Sequence, residues 1–320
     1  MAKVVVTGGA GFIGGHIVEA LIARGDQVTV FDNLHTGHLT NLGDTLTGVH
    51  PAVRLYQDSI LNQEALLEAC AGATSVFHLA ALISVPESME KPIEYVATNT
   101  IGTLRVLEAC RLSGVKNIVL SSSAAIYGDN PTIPKLENMI PEPKSPYAVS
   151  KLDGEYYFQM YRKQYGLNAT SLRYFNVFGP RQDPKSQYAA AVPIFIDRAV
   201  KNQDITIFGD GQQTRDFIYV KDVVQANLLA AKRGGDVFNV AWGQRLTIQD
   251  LATHIIQLTG SSSKILYLPE RSGDIKHSMS DNQKIIQQLG FKASSTLEKG
   301  LIATIEYFQD LKNKKLNSII

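Results

Sequence analysis

Two cysteines, Cys70 and Cys110, are all that the 320 residues contain. That count excludes a disulfide framework. Both sit in helix-like stretches among apolar neighbours, the usual setting of packed, reduced thiols. No apolar run approaches the ~18 residues that a bilayer span needs. The N-terminus, Met1-Ala2-Lys3 running into Val4 to Val6, reads as a short strand and not as the charged and apolar regions of a leader. No lysine- or arginine-rich run stands out, and 31 basic residues against 30 acidic ones leave a formal charge of +1. Nucleic acid and anionic membrane are therefore not expected as main partners, and a soluble cytoplasmic protein is. Internal repeats and low-complexity linkers are missing. So is a G-x-S-x-G elbow, which disfavours a hydrolase of that type. His35 and His38 stand three apart but have no carboxylate or third ligand nearby in sequence, so no metal is expected.

What is present points to a packed α/β chain. Hydrophobic residues make up 44% and charged residues 19%, enough apolar side chain for a sizeable core. The first half alternates short β-branched runs with helical patterns. Lys3–Val6, Gln27–Phe31, Val53–Tyr56, Ser75–His78 and Asn117–Ser121 read as strands. Phe12–Arg24, Gln63–Cys70 and Pro92–Ser113 read as helices between them, and Gly25 ends the first. Strand and helix in repetition predict a doubly wound parallel sheet with right-handed crossovers. After about Arg173 the rhythm breaks at Pro180, Pro184, Pro193 and the turn Gly209-Asp210-Gly211. A smaller C-terminal α/β lobe is expected there. The sheet domain is assigned residues 1–176 with 217–241, and the lobe 177–216 and 242–320. The lysine-rich tail Leu311–Leu316 is expected to fray.

The loop Thr7-Gly8-Gly9-Ala10-Gly11-Phe12-Ile13-Gly14 joins the first strand to the first helix. Glycines at 8, 11 and 14 allow a tight turn and a close approach of backbone to a pyrophosphate. The helix N-terminus behind it offers unpaired N–H groups and a partial positive charge. A lone glycine triplet is weak evidence, but a strand before it and a helix after it make it strong. Asp32 closes the second strand, 18 residues past Gly14. A carboxylate there accepts from ribose hydroxyls and repels a 2′-phosphate, and no arginine follows until Arg54, so NAD is expected over NADP. Asp58, after the third strand, is a candidate for the adenine edge.

Ser145-Pro146-Tyr147-Ala148-Val149-Ser150-Lys151 reads as a helix start, with Ser145 as N-cap and Pro146 at the first helical position. Tyr147 and Lys151 are then i and i+4, on one face. A free tyrosine has a pKa near 10 and is a poor base at neutral pH. A nearby ammonium and a positive nicotinamide ring both favour the phenolate, which can take a proton from a sugar hydroxyl. Ser123, in the run Ser121-Ser122-Ser123-Ala124-Ala125-Ile126-Tyr127-Gly128, can hydrogen-bond the same hydroxyl.

Together with Asp32-Asn33-Leu34, His78-Leu79-Ala80-Ala81, Asn99-Thr100-Ile101-Gly102-Thr103 and Leu172-Arg173-Tyr174-Phe175-Asn176-Val177, these segments closely resemble the extended short-chain dehydrogenase/reductase superfamily. Within it the likeness is to the UDP-galactose and UDP-N-acetylglucosamine 4-epimerases, and it covers nearly the whole chain. The resemblance implies catalysis by Tyr147, Lys151 and Ser123. It implies a cofactor site of Gly8, Gly11, Phe12, Ile13, Gly14, Asp32, Asn33, Leu34, Thr36, Gly37, Asp58, Ser59, Leu79, Ala80, Ala81, Ile83 and Asn99, with Phe175 close to the nicotinamide and Tyr147 and Lys151 completing it. It implies phosphate contacts from Arg215 and Arg271, a ribose contact from Asp274 and a diphosphate donor in Asn176. Ala191, Val192, Thr206, Ile207 and Phe208 would enclose uracil, and Ser123 and Tyr147 would meet the sugar.

Ser278 bears on the substrate. It stands where strict bacterial UDP-galactose epimerases carry a tyrosine against the hexose, and a serine leaves room for an acetamido group. N-acetylated UDP-hexoses are thus expected, along with plain ones. His277 beside it is expected to be wall or surface. Two positions depart from the resembled pattern. Ala125 replaces a common threonine, removing one sugar contact, and Ile83 replaces a frequent lysine, which bears on NAD retention.

Neighbouring chemistries are tested by the same positions. Sugar-nucleotide 4,6-dehydratases carry an acidic pair where Ala124 and Ala125 stand, and UDP-glucuronate decarboxylases carry a glutamate at Ala125, so both are disfavoured. A UDP-glucuronate 4-epimerase stays open. From another class, a non-catalytic dinucleotide-sensing protein is the alternative, because fold alone does not grant activity, but the intact Tyr147, Lys151 and Ser123 argue against it. Aromatic and apolar residues on several faces of Tyr147–Gln164, among them Tyr156, Tyr157, Phe158 and Tyr161, and of Pro92–Ser113 imply a second helix pair. A homodimer through a four-helix contact is expected, as members of the resembled group form.

Overall fold

The computed structural model describes residues 1–43, 50–184, 190–270 and 276–317, with side chains to 314. Its centre is a seven-stranded sheet. The strands are β1 (Lys3–Thr7), β2 (Gln27–Phe31), β3 (Val53–Tyr56), β4 (Ser75–His78), β5 (Asn117–Ser123), β6 (Asn168–Tyr174) and, after the four short strands β7 to β10 given below, β11 (Val237–Val240). Their order is β11-β6-β5-β4-β1-β2-β3 and every neighbouring pair is parallel. A fully covered parallel sheet explains the continuous apolar runs: Val4, Val5 and Val6 are all buried, though they alternate between faces. Burying one such side chain stabilises by about 1.5–3 kcal/mol before entropy is counted.

The helices are α1 (Phe12–Ala23), α2 (Gln63–Cys70), α3 (Val85–Glu90), α4 (Pro92–Tyr95), α5 (Gly102–Leu112), α6 (Pro146–Tyr165), α7 (Ala191–Val200), α8 (Val220–Arg233), α9 (Ile248–Thr259), α10 (Gln283–Leu289) and α11 (Leu297–Asn317). Cys70 on α2 and Cys110 on α5 are buried free thiols. Among the described residues no helix is long and apolar enough to cross a membrane.

Three elements differ from expectation. The single helix expected over Pro92–Ser113 is interrupted by π-helical turns at Val96–Ile101. Tertiary bonds override the 3.6 period there: Asn99 holds the Leu82 main chain and Thr100 holds Asp153. Strand β5 runs on to Ser123, because Ser121 to Ser123 pair with Leu172 to Tyr174. The tail expected to fray is helical to Asn317, and Lys312 Nζ donates to the Val200 carbonyl at 2.9 Å.

The lobe holds two two-stranded pairs and shares a third with the 217–241 stretch assigned to the sheet domain. Strand β7 (Asn176–Phe178) pairs with β10 (Phe217–Tyr219), β8 (Ile205–Phe208) with β13 (Ile265–Leu268), and β9 (Thr214–Arg215) with β12 (Leu246–Thr247). Its core holds Phe195, Leu251, Ile255, Leu301 and Phe308. Ile285, Leu289 and Phe291, inside the 242–320 stretch assigned to the lobe, pack instead with the core of the large sheet.

Candidate active site

The sheet order reverses between β1 and β4, and the loops leaving their C-terminal ends diverge there. The glycine loop is one of them. A Cβ on Gly14 would stand 2.1 Å from the Gly8 carbonyl oxygen, so only glycine lets α1 start this close to β1. The Leu79–Ile83 loop is the other: Leu79 N–H donates to the Thr7 carbonyl at 3.0 Å, while Ile83 is largely exposed.

Asp32 draws the neighbouring segments together. Its carboxylate accepts from Ala10 N–H at 2.9 Å and from Leu34 N–H at 2.8 Å. Leu34 has φ 59°, a left-handed conformation for a branched residue. A Cβ on Gly37 would stand 2.9 Å from Asp32 Oδ1, so glycine lets the loop that also carries Asn33 and Thr36 close over the carboxylate. Each Asp32 oxygen keeps lone-pair capacity for a further donor. A narrow turn at a helix N-terminus, beside a carboxylate with spare acceptors, fits NAD. Asp58 accepts from Ser59 N–H at 2.6 Å and Asn62 Nδ2 at 2.8 Å in a turn that introduces α2, and like Asp32 it keeps lone pairs for a further donor.

Tyr147, Lys151 and Ser123 come together at the C-terminal end of β5. Helix α6 starts as expected, with Ser145 Oγ accepting from Ala148 N–H at 3.2 Å and Pro146 in the first turn. Lys151 Nζ lies 5.8 Å from the Tyr147 ring centroid and donates to the Ser121 carbonyl at 2.8 Å. Ser123, which ends β5, turns its Oγ to accept the Ala125 N–H at 3.1 Å. Burial pushes the Tyr147 phenol up and the neighbouring Ser123 side chain pulls it back. Burial also brings the Lys151 amine down to about 8. Asn99 Nδ2 reaches both the Leu82 carbonyl at 2.9 Å and Ser150 Oγ at 3.0 Å, linking the cofactor-side loop to α6. Phe175 is buried against Tyr127, with ring centroids 6.3 Å apart.

The residues expected to hold the nucleotide sugar are only partly assembled here. Asn176 opens β7, Arg215 ends β9, and Ser278 is bonded to β9 through its N–H to the Thr214 carbonyl at 3.1 Å. Ala191, Thr206 and Phe208 are half-buried, but Val192 and Ile207 are core side chains, leaving only their main chain to meet a ligand. His277 is exposed, as expected of a surface or wall residue. Arg271 and Asp274 lie outside the described residues.

Three buried groups went unread in the sequence. Arg173 forms a bidentate pair with Glu155, at 2.7 Å and 2.9 Å, and Ser122 Oγ donates to the same carboxylate at 2.5 Å. Glu155 is i+4 from Lys151, a spacing that could have flagged it. His78 bridges Thr7 Oγ1 at 2.7 Å and Thr103 Oγ1 at 2.9 Å, and burial, with Lys151 nearby, lowers it to about 3. Asp216 accepts three backbone N–H groups, and burial raises it to about 7 against them. A cavity of about 560 Å³ lies behind the Glu155–Arg173 pair, lined by Leu136, Met139, Tyr156 and Lys284, and none of the expected site residues lines it.

With this geometry in place, the family model described as NAD dependent epimerase/dehydratase matches residues 4–241. The chain belongs to that family. Among solved structures, UDP-N-acetylglucosamine 4-epimerase of Methanobrevibacter ruminantium, in complex with UDP-N-acetylmuramic acid, superposes with a TM-score of 0.92 at 40% identity, covering 97% of this chain and 99% of that one. UDP-glucose 4-epimerase of Thermotoga maritima, with UDP-glucose, gives 0.91 at 41% identity, over 97% and 99%. A family relative in Bacillus cytotoxicus named UDP-N-acetyl-alpha-D-glucosaminuronate decarboxylase is 36% identical over 97% of this chain and 99% of its own. The family thus joins several reactions on one scaffold, and the substrate must be argued from the site.

Proposed function

We propose that the chain is an NAD-dependent 4-epimerase of UDP-hexoses, acting on UDP-N-acetylglucosamine and UDP-N-acetylgalactosamine and also on UDP-glucose and UDP-galactose. The observation that carries this reading is Lys151 Nζ, 5.8 Å from the Tyr147 ring centre and anchored on the Ser121 carbonyl at 2.8 Å, at the end of the strand that carries Ser123. Tyr147 takes the proton of the C4 hydroxyl and gives it back when the configuration has inverted. NAD, when bound, supplies the acceptor for the C4 hydride and the donor that returns it. Lys151, carrying a proton below about 8, favours the phenolate electrostatically. Ser123 orients the hydroxyl that Tyr147 deprotonates. Ala124 and Ala125 offer no acid or base for loss of water or of a carboxyl group.

Gly8, Gly11 and Gly14 hold the pyrophosphate of NAD, and Asp32 its adenosine ribose. Arg215, Asn176 and, by resemblance, Arg271 and Asp274 anchor the UDP end, so that only the hexose turns. Ser278 leaves room for a C2 acetamido group. A second copy of the chain is the expected partner. Ile93 is 80% exposed, Met89 62%, Leu112 58% and Tyr156 58%, on the neighbouring helices α3 to α6. Such side chains on adjoining helices are suited to an isologous four-helix contact.

The test offers the purified protein UDP-glucose, UDP-N-acetylglucosamine and UDP-glucuronate with no added reductant and resolves products by NMR. Interconversion of the glucose and N-acetylglucosamine pairs is expected. Conversion of UDP-glucuronate alone, or of none, would overturn the reading. Light scattering at micromolar concentration is expected to give a dimer, and a monomer would remove the interface.

A further inference from the structure

The segment Lys276 to Asp281 carries Ser278 but forms no strand of its own. It is held from two sides. On the lobe side, Thr214 N–H donates to the Lys276 carbonyl at 3.0 Å and Ser278 N–H to the Thr214 carbonyl at 3.1 Å. On the sheet side, Lys135 N–H donates to the Met279 carbonyl at 2.8 Å and Asp281 N–H to the Lys135 carbonyl at 3.1 Å. The ladder with β9 then runs out of main chain. At Asp216 the backbone turns to pair with β7, and its carbonyl takes the Asn176 N–H at 3.1 Å. The next lobe-side donor, Ser280 N–H, is met by the Asp216 side chain, at 3.1 Å to Oδ2. The same carboxylate accepts from Trp242 N–H at 2.9 Å and from Gly243 N–H at 3.1 Å and 3.2 Å. Asp216 is fully buried and makes these contacts at the meeting point of β9, β10, the end of β11 and the Ser278 segment.

We infer that Asp216 is a positioning residue for the sugar end of the substrate: its carboxylate replaces a missing rung of backbone and fixes the Ser278 segment against the strands that carry Arg215 and Asn176. The inference rests on Ser278 lining the hexose pocket, as proposed above. Three N–H donors converge on Asp216, and above about pH 7, where the carboxyl is ionised, it is acceptor-only with lone pairs for all of them. An amide of the same shape has one oxygen and one NH₂. In Asp216→Asn, one side of that convergence faces a donor, and a buried N–H loses its partner. The nucleotide anchors stay, since Arg215 is held in β9 by its own strand pairing with Leu246.

The experiment compares, at about pH 8.5, the NAD-loaded parent and Asp216→Asn in KM and kcat for UDP-N-acetylglucosamine and UDP-glucose, and in inhibition by UDP alone. KM for both sugars is expected to rise about tenfold while UDP inhibition changes less than about threefold, the signature of one lost rung at the hexose end. The preference between the two sugars is expected to move towards unity. A variant that is merely less stable would lower active enzyme and leave both KM values and the preference unchanged, and that outcome overturns the inference. Equal loss of UDP and UDP-sugar binding also overturns it. A parent that turns over neither sugar sinks the proposed function instead. Amide exchange on the unaltered protein covers the case in which Asp216→Asn does not fold. Ser280 N–H is expected to be slow, and slower still with UDP-hexose than with UDP, whereas fast exchange at Ser280 would contradict the rung.

Discussion

Lys151 Nζ sits 5.8 Å from the centre of the Tyr147 ring and is anchored on the Ser121 carbonyl, which puts a buried amine beneath the phenol proposed as the base. The arrangement favours chemistry over stability. Taking the ammonium out of water brings Lys151 down to about 8, so below that pH the folded state bears the cost of a buried charge.

Lys151→Met is expected to stabilise the protein at pH 7 by about 1–3 kcal/mol, the upper figure following from the lowered pKa and the lower one allowing for the lost bond to Ser121. A base lowered in the folded state makes the parent gain stability as pH rises from about 8 towards its usual value of 10.5. The variant is expected to lose that gain, and activity with it. Urea unfolding at pH 7 and pH 10 checks both statements.

His78 and Asp216 carry pH slopes of opposite sign. His78, lowered from 6.5 to about 3, contributes stability that is present above 6.5 and is lost as pH falls. Asp216, raised from 3.8 to about 7, contributes stability that is present below 3.8 and is lost as pH rises through 7. Between about pH 4 and 6.5 these two groups together hold one proton in the unfolded chain, on the histidine, and one in the folded chain, on the aspartate, so their contributions cancel. His78→Gln is expected to leave stability falling with pH across that window, and Asp216→Asn to leave it rising. Urea unfolding across the window measures both slopes.

Gly14→Ala is expected to remove NAD binding, because its Cβ would overlap the Gly8 carbonyl oxygen at 2.1 Å and push the loop off the start of α1. Titration with NAD, followed by calorimetry, reads the loss directly. Affinity within about threefold of the parent would be less than one kcal/mol and would mean that the loop does not carry the pyrophosphate.

Ser278→Tyr is expected to suppress acetamido sugars and spare plain ones. A ring at that position fills the space a C2 substituent needs, and the discrimination a hydrophobic wall can supply is about 10–200-fold. Competition between UDP-N-acetylglucosamine and UDP-glucose in one reaction gives the ratio, and an unchanged preference would remove Ser278 from the pocket wall.

Much of this was legible in the sequence because the signals are local. The β-branched runs Gln27–Phe31, Val53–Tyr56 and Ser75–His78 are strands with those same ends, and Ser145-Pro146 starts a helix as cap chemistry requires. The Tyr147/Lys151 spacing needs only 3.6 residues per turn. What was not legible depends on partners distant in the chain. The π-helical turns at Val96–Ile101 follow from Asn99 reaching Leu82 and Ser150. Glu155 and Arg173 look like surface charges until α6 is laid on β6. Asp216 is next to an arginine of interest, yet its role comes from Trp242, Gly243 and Ser280, which no periodicity connects to it. Val192 and Ile207 were expected near uracil, and only the lobe core shows their side chains to be committed to packing.

The central claim is that the Tyr147 phenol is the base and acid at C4. Tyr147→Phe removes one oxygen and keeps the ring over Lys151. Turnover of UDP-hexose is expected to fall by at least about a hundredfold, the usual share of a positioned proton-transfer group, while UDP and NAD bind as in the parent. Activity within about threefold of the parent, with binding intact, would contradict it.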